Sequence, residues 1–277
     1  MSAVRRLGVT LVVVMLLVDL ASCRSHATHS VSNSAPRAVR VVPTSLIGTW
    51  TVAGNGIESG TRIAFASDVT VFRRCGASTG TWLGAQDGTM LIALTQVPQT
   101  CVDATARGAD AAFAQPWLTH VAAVAGFPKA PTLVDGSGTT LASLLRPSSS
   151  PPPPAWFRTP SNVVPEVPTG GLQRVDPASL MGTWLVDGGK PDEGAVTFKA
   201  DGTWSAPQSC GTLGGRWALS SSTPSVLLVP DLNGQLECRN GPAVTPLVGG
   251  VTVGFDAGRL VVVDRSGHVA ARYTRAP

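Results

Sequence analysis

The sequence predicts an α+β fold, predominantly antiparallel β, made of two homologous small β-rich domains each with at most one short helix. Three observations lead there. First, the chain repeats itself: Ser45-Leu46-Ile47-Gly48-Thr49-Trp50 returns as Ser179-Leu180-Met181-Gly182-Thr183-Trp184. Cys75-Gly76 followed by Gly80-Thr81-Trp82 returns as Cys210-Gly211 followed by Gly215-Arg216-Trp217, with the same Cys-to-Trp spacing. Second, apolar residues alternate with period two on either side of Asp-Gly and Asp-x-Ser-Gly turns, which is strand and hairpin patterning. Third, the 277 residues include 30 Gly and 22 Pro, too much punctuation for a helical bundle, while a hydrophobic share of 43% is too apolar for outright disorder. The net charge of +4 is no polybasic footprint, so nucleic acid is not an expected partner.

The N-terminus gives an address. Arg5 and Arg6 precede an apolar stretch from Leu7 to Val18, too short to span the roughly 30 Å hydrocarbon core as a free helix. Leu20-Ala21-Ser22-Cys23 follows, and it resembles the lipobox of bacterial lipoproteins. On that resemblance residues 1–22 are a signal peptide. Cys23 is the lipidation site, carrying a thioether-linked diacylglyceryl group and a further acyl chain such as palmitate. Two or more chains make a firm anchor where one is marginal. The expected location is the extracytoplasmic face of the cell membrane. Residues 23–43 are polar and aperiodic and read as a flexible tether, with Arg24, Arg37 and Arg40 near the anionic headgroups. His26 and His29 fall in this spacer, and no metal site is expected of them.

The repeat then divides the rest into a first domain, 44–146, and a second, 178–277. Between them, 147–177 is rich in Pro and Ser, which excludes a helix or central strand and suits a semi-rigid spacer. Trp156-Phe157 is the aromatic exception in it, a candidate for docking on a partner or on the neighbouring domain.

Within each domain the elements follow in order. Trp50 and Val52 point to one side of a strand and Thr49 and Thr51 to the other. Ala195 to Lys199, Asp201-Gly202 and Thr203-Trp204 read as a hairpin. Met90 to Leu94 and Ser225 to Val229 are equivalent apolar strands. Leu133-Val134, the turn Asp135-Gly136-Ser137-Gly138 and Thr139 to Leu145 form a closing hairpin. Its counterpart is Leu260 to Val263, Asp264-Arg265-Ser266-Gly267 and His268 to Tyr273. Phe113, Trp117, Val121 and Val124 recur at helical intervals, which predicts one helix starting near Pro116. In the second domain the helix, over Pro242 to Gly254, is expected to shrink to a turn or two or to vanish.

Five cysteines leave one apart from the rest, and that one is Cys23. The other four allow three connectivities. The repeat selects Cys75–Cys101 and Cys210–Cys238, each inside its own domain. Disulfides persist outside the cytoplasm, and a Gly-rich domain of about 100 residues has little stability to spare. The four lack the C-x-x-C and neighbouring His of a zinc site.

The order Gly-x-Trp, apolar hairpin, Cys-Gly with Gly-x-Trp beyond, apolar strand, Cys, helix and closing hairpin is similar to the META domain, a family that includes small bacterial envelope lipoproteins. The family shows Gly-Cys-Asn at its first cysteine, where this chain has Arg74-Cys75-Gly76 and Ser209-Cys210-Gly211. The resemblance implies a binding or envelope-stress role and brings no catalytic residues with it. A lipocalin also opens with Gly-x-Trp, but it needs eight strands in one unit, and about 100 residues is short for that.

A search for catalytic chemistry finds no H-E-x-x-H, G-x-S-x-G or phosphate loop, and no cofactor motif. Asp264, Ser266 and His268 name the members of a hydrolase triad, yet they sit on one hairpin turn whose residue types are turn formers. His120 is the other domain histidine. The expectation is therefore a non-enzymatic, lipid-anchored envelope protein with an envelope protein or polymer as partner. The alternatives are a module that binds a small apolar ligand or cell-wall polymer on a face lined by Trp82, Trp217 and Trp156, and an unrecognised envelope hydrolase.

Overall fold

A computed structural model describes residues 43–101, 116–126, 130–147, 163–164, 170–190, 192, 194–208, 211–220, 225–230, 243–248 and 251–277. Cys23, Trp156, Cys210 and Cys238 lie outside them, as do the signal and tether sequences up to residue 42.

The α+β expectation is corrected here. Among the described residues strand outweighs helix 54% to 7%, and each repeat is an eight-stranded antiparallel meander. In the first repeat the strands are β1 Gly48–Ala53, β2 Arg62–Phe65, β3 Val69–Arg73, β4 Gly76–Gly84, β5 Met90–Gln96, β6 Ala123–Ala125, β7 Thr132–Val134 and β8 Thr140–Leu145. In the second they are β9 Gly182–Val186, β10 Ala195–Phe198, β11 Thr203–Gln208, β12 Gly211–Leu219, β13 Ser225–Pro230, β14 Val251–Asp256, β15 Arg259–Val263 and β16 Val269–Arg275. The second sheet is a closed barrel in which each strand pairs with its chain neighbours and β9 pairs with β16. In the first, the order runs from β5 through β1 and β8 to β6. Its two edge strands meet through Met90 N donating to the Ala122 carbonyl and Val124 N donating to the Gly88 carbonyl, both at 2.9 Å. Full closure removes the edges of the second sheet, while the first is brought to a barrel-like form by the one bridge between Thr89 and Ala123. Eight strands fit because none exceeds nine residues, so chain length does not exclude an eight-stranded unit.

The helix expected near Pro116 is a single turn, Pro116–Thr119. Val121 leaves it as loop, and Val124 is in β6. The helical spacing lost to sheet closure, in which Val124 N donates to the Gly88 carbonyl and Met90 N to the Ala122 carbonyl. In the second repeat, residues 243–248 form turns and Val251–Asp256 is β14. The predicted hairpins form as β10–β11, β7–β8 and β15–β16.

Each barrel has its own filled core. In the first, Trp50, Ile63, Phe65, Val71, Trp82 and Ile92 face inward. In the second, Trp184, Phe198, Trp204, Trp217, Leu228 and Tyr273 do so. A short turn precedes each first strand: Pro43–Leu46 is 3₁₀, and Pro177–Leu180 is one α turn with an Asp176–Ser179 capping box. Both turns are followed by a glycine in a backbone region that L side chains avoid, Gly48 at φ +122° and Gly182 at φ +116°. That requirement explains the glycine of the repeated Gly-Thr-Trp motif.

Both barrels belong to one compact unit, Ala38–Pro277. A third apolar cluster joins them, with Leu83, Ala85 and Leu91 from β4, its turn and β5, and Leu227 and Val229 from β13. Residues of the span read as spacer take part. Val163 packs into the first core and Val164 into this seam, and Val164 N donates to the Gly84 carbonyl. Gln173 exchanges two backbone hydrogen bonds with Phe255, and Val175 is buried in the second core.

Candidate functional site

The repeated tryptophans are architectural in the same way twice. Trp50 Nε1 donates to the Leu46 carbonyl at 2.6 Å, and Trp184 Nε1 to the Leu180 carbonyl at 2.7 Å. Over each ring lies an arginine from just after or at the end of the last strand, Arg146 over Trp50 and Arg275 over Trp184. Trp82 Nε1 donates to the Ala66 carbonyl and Trp217 Nε1 to the Lys199 carbonyl. Phe65 and Phe198 meet these second rings edge to face at 5.5 and 5.6 Å. Trp82 is 0% exposed and Trp217 8%. Of the three tryptophans of the alternative Trp-lined binding face, Trp82 and Trp217 are therefore core, because indole satisfies its N–H on a neighbouring hairpin carbonyl while burying its body.

The disulfide Cys75–Cys101 forms, with Cα atoms 4.8 Å apart. It ties the β3–β4 turn to the chain beyond β5, and the Thr100 hydroxyl donates to the Cys75 carbonyl beside it. Glu58 reaches the same turn, 3.4 Å from Arg73 and 3.2 Å from Arg74. The pair Cys210–Cys238, the lipidation residue Cys23 and the candidate Trp156 lie outside the described residues.

Asp264, Ser266 and His268 do share a turn. The Asp264 carboxylate accepts from the backbone N–H of Ser266 and of His268. Asp135 does the same for Ser137 and Thr139. The Ser137 hydroxyl holds the Asp135 carboxyl below the usual carboxylate range, and the His268 N–H does so for Asp264. Asp201 is lowered likewise by the Thr203 hydroxyl at the β10–β11 turn. These carboxylates are spent on turn backbone, and Asp264 orients no imidazole ring. Tyr273 donates to the Ala243 carbonyl, and burial pushes its phenol up. Among the described residues no three His, Cys, Asp or Glu side chains gather as a metal site, and no helix is long and apolar enough to cross a membrane.

Two further places carry polar chemistry. At the seam Arg216 Nη2 donates to the Val121 carbonyl at 3.2 Å, and Ser220 donates to Asp87 at 3.0 Å. Burial lowers the Arg216 guanidinium, and its Nη1 has no hydrogen-bond partner among the described residues. On the outside of the second barrel, a groove of about 320 Å³ lies between Gly170–Leu172 and the strands β14–β16. Val261 and Val263 line it, with the ion pair Arg272–Asp256 at 3.1 Å.

No protein-family model matches the chain, and no curated protein matches it. Among solved structures the chain is similar to a DUF4847 family protein from Bacteroides vulgatus, at 19% identity over 35% of this chain and 94% of that one. The TM-score of 0.28 is too low to carry an argument.

The first barrel also assembles an outward row that sequence reading missed. Leu145, Thr51, Arg62 and Phe72 are register partners across β8, β1, β2 and β3. Arg62 lies over the Phe72 ring at 5.3 Å. Leu145 is 53% exposed, one of two large apolar side chains so exposed among the described residues. Nothing in one dimension marks this row, since its members come together only through strand register. Arg146 and Arg275 had a signal, an arginine at the close of each repeat's last strand.

Proposed function

We propose that the chain is a non-enzymatic envelope protein, anchored by lipid on Cys23 at the extracytoplasmic face, that presents two tandem META-like units and acts by binding. The observation that carries the reading is the run Leu20-Ala21-Ser22-Cys23 behind Arg5, Arg6 and the apolar Leu7 to Val18. About twenty residues separate Cys23 from the first described element at Pro43, a suitable spacer between a membrane and a folded body. The duplicated Trp, Gly and Asp residues are used for barrel closure, turns and core packing, which leaves the outer surfaces to do the binding.

Globomycin treatment and the variant Cys23→Ala test the anchor. The expected result is accumulation of a larger precursor with globomycin, and loss of lipid-dependent membrane partition in the variant. Unchanged precursor size and unchanged partition under both conditions would overturn the reading.

A further inference from the structure

We infer that the outer wall of β8, β1, β2 and β3 in the first barrel docks on an anionic membrane surface, with Leu145 as the apolar contact and Arg62 as the headgroup contact. The inference rests on the anchored reading above for its biological setting, though its geometry stands apart from Cys23. Leu145, Thr51, Arg62 and Phe72 form one register row, so their side chains leave the same face of the sheet. Adjacent strands lie about 4.8 Å apart, so the row spans roughly 15 Å. The next outward row, Thr49, Ala64 and Thr70, carries no charge.

Charge at this wall is one-sided. Arg62 is exposed and stacked on Phe72, an aromatic–cation pairing suited to the boundary between apolar and headgroup layers. Arg74, beyond the end of β3, has a side chain 82% exposed. The Glu58 carboxylate is already engaged by Arg73 and Arg74. Asp68 sits in the β2–β3 turn, at the far end of β2 from Arg62. A β wall with one projecting leucine, and with Arg62 as the only charge in its two outward rows, matches a surface of anionic headgroups over acyl chains.

The turn that opens the barrel is tied to the residue next to Leu145. Arg146, next to Leu145, donates from Nη2 to the Ser45 carbonyl at 3.3 Å, in the turn that opens the first barrel. The residues from Cys23 to Pro43 reach at most ~70 Å when fully extended, so an anchored protein keeps this barrel within a short distance of the bilayer. Val269, the other large apolar side chain so exposed among the described residues, at 52%, lies on the second barrel and lines the groove beside Gly170–Leu172.

The test uses residues 24–277, which lack Cys23, so the anchor has no part in the readout. Sedimentation is measured with phosphatidylcholine vesicles and with vesicles that also contain phosphatidylglycerol. Binding is expected only to the anionic vesicles. Arg62→Gln is expected to weaken it about fivefold, the weight of one basic residue at an anionic surface. Leu145→Asp is expected to weaken it at least as much, and Val269→Asp to leave it unchanged. Urea midpoints for the three variants separate lost docking from lost folding. No binding to either vesicle overturns the inference, as does equal binding to both. Undiminished binding by Leu145→Asp and Arg62→Gln assigns the attraction to Arg24, Arg37 and Arg40 of the tether and overturns it as well. The globomycin result on Cys23 is independent of every one of these outcomes.

Discussion

The Arg146 guanidinium lies 4.4 Å above the centre of the Trp50 ring, and in the second barrel Arg275 lies 5.6 Å above Trp184. Each arginine also donates to the opening turn of its own repeat, Arg146 to the Ser45 carbonyl and Arg275 to the Met181 carbonyl. One side chain thus links the last strand, the first strand and the entry turn. Arg146→Ala and Arg275→Ala are each expected to cost about 0.5–1 kcal/mol through the lost cation–π contact, with about 1 kcal/mol more for the hydrogen bond. Urea unfolding followed by tryptophan fluorescence measures both.

The second tryptophan of each repeat is held by a hydrogen bond across a hairpin, Trp82 to Ala66 and Trp217 to Lys199. Phenylalanine at these positions keeps most of the apolar body and removes the indole donor from the Ala66 carbonyl or from the Lys199 carbonyl, the latter keeping the Gly202 N–H at 3.2 Å. Trp82→Phe and Trp217→Phe are therefore expected to destabilise by about 1–3 kcal/mol each. Their emission spectra before substitution should be those of buried indole and should not shift on adding envelope fractions.

The parts of this fold that were legible in the sequence were local ones. Asp201-Gly202 marked the β10–β11 hairpin, and the two Asp-x-Ser-Gly runs marked the closing hairpins, because turn chemistry is carried by a few consecutive residues. The repeat of Cys75 and Cys101 in register with the second domain pointed to the pairing that the first barrel shows. Strand rather than helix at Val124 was decided by closure of the sheet, a long-range event that the helical spacing of Trp117, Val121 and Val124 does not encode. The docking row of Leu145 and Arg62 was illegible for the same reason. Val163 and Val164 were read as spacer because Pro dominates the residues before them, yet two valines suffice to enter a core and a seam.

The Cys75–Cys101 bridge closes a loop with a sequence separation of 26 residues. Replacing both cysteines by alanine is expected to cost about 3–4 kcal/mol on the chain-entropy account, a large share of the 5–15 kcal/mol typical of a domain. Non-reducing peptide mapping checks the pairing itself. A link such as Cys75–Cys210 would contradict the two-barrel assignment.

The turn aspartates set an acid dependence. Asp135 and Asp264 have native carboxyls held below their ordinary value by hydrogen bonds to the ionised form. Their contribution is therefore present above the unfolded pKa, about 3.9, and is lost as pH falls through the lower native value. Asn keeps an acceptor oxygen and does not titrate. Asp135→Asn and Asp264→Asn are expected to lose less stability on acidification than the parent protein, with small differences at pH 7. Thermal melts across the acid range measure the slope.

Anchoring at Cys23 is the centre of the functional account, and the mass of the N-terminal peptide from detergent-extracted membranes tests it most directly. The account predicts a peptide that begins at Cys23 and carries a thioether-linked diacylglyceryl group. A peptide that begins at Met1, or one cut elsewhere with an unmodified Cys23 thiol, would contradict it.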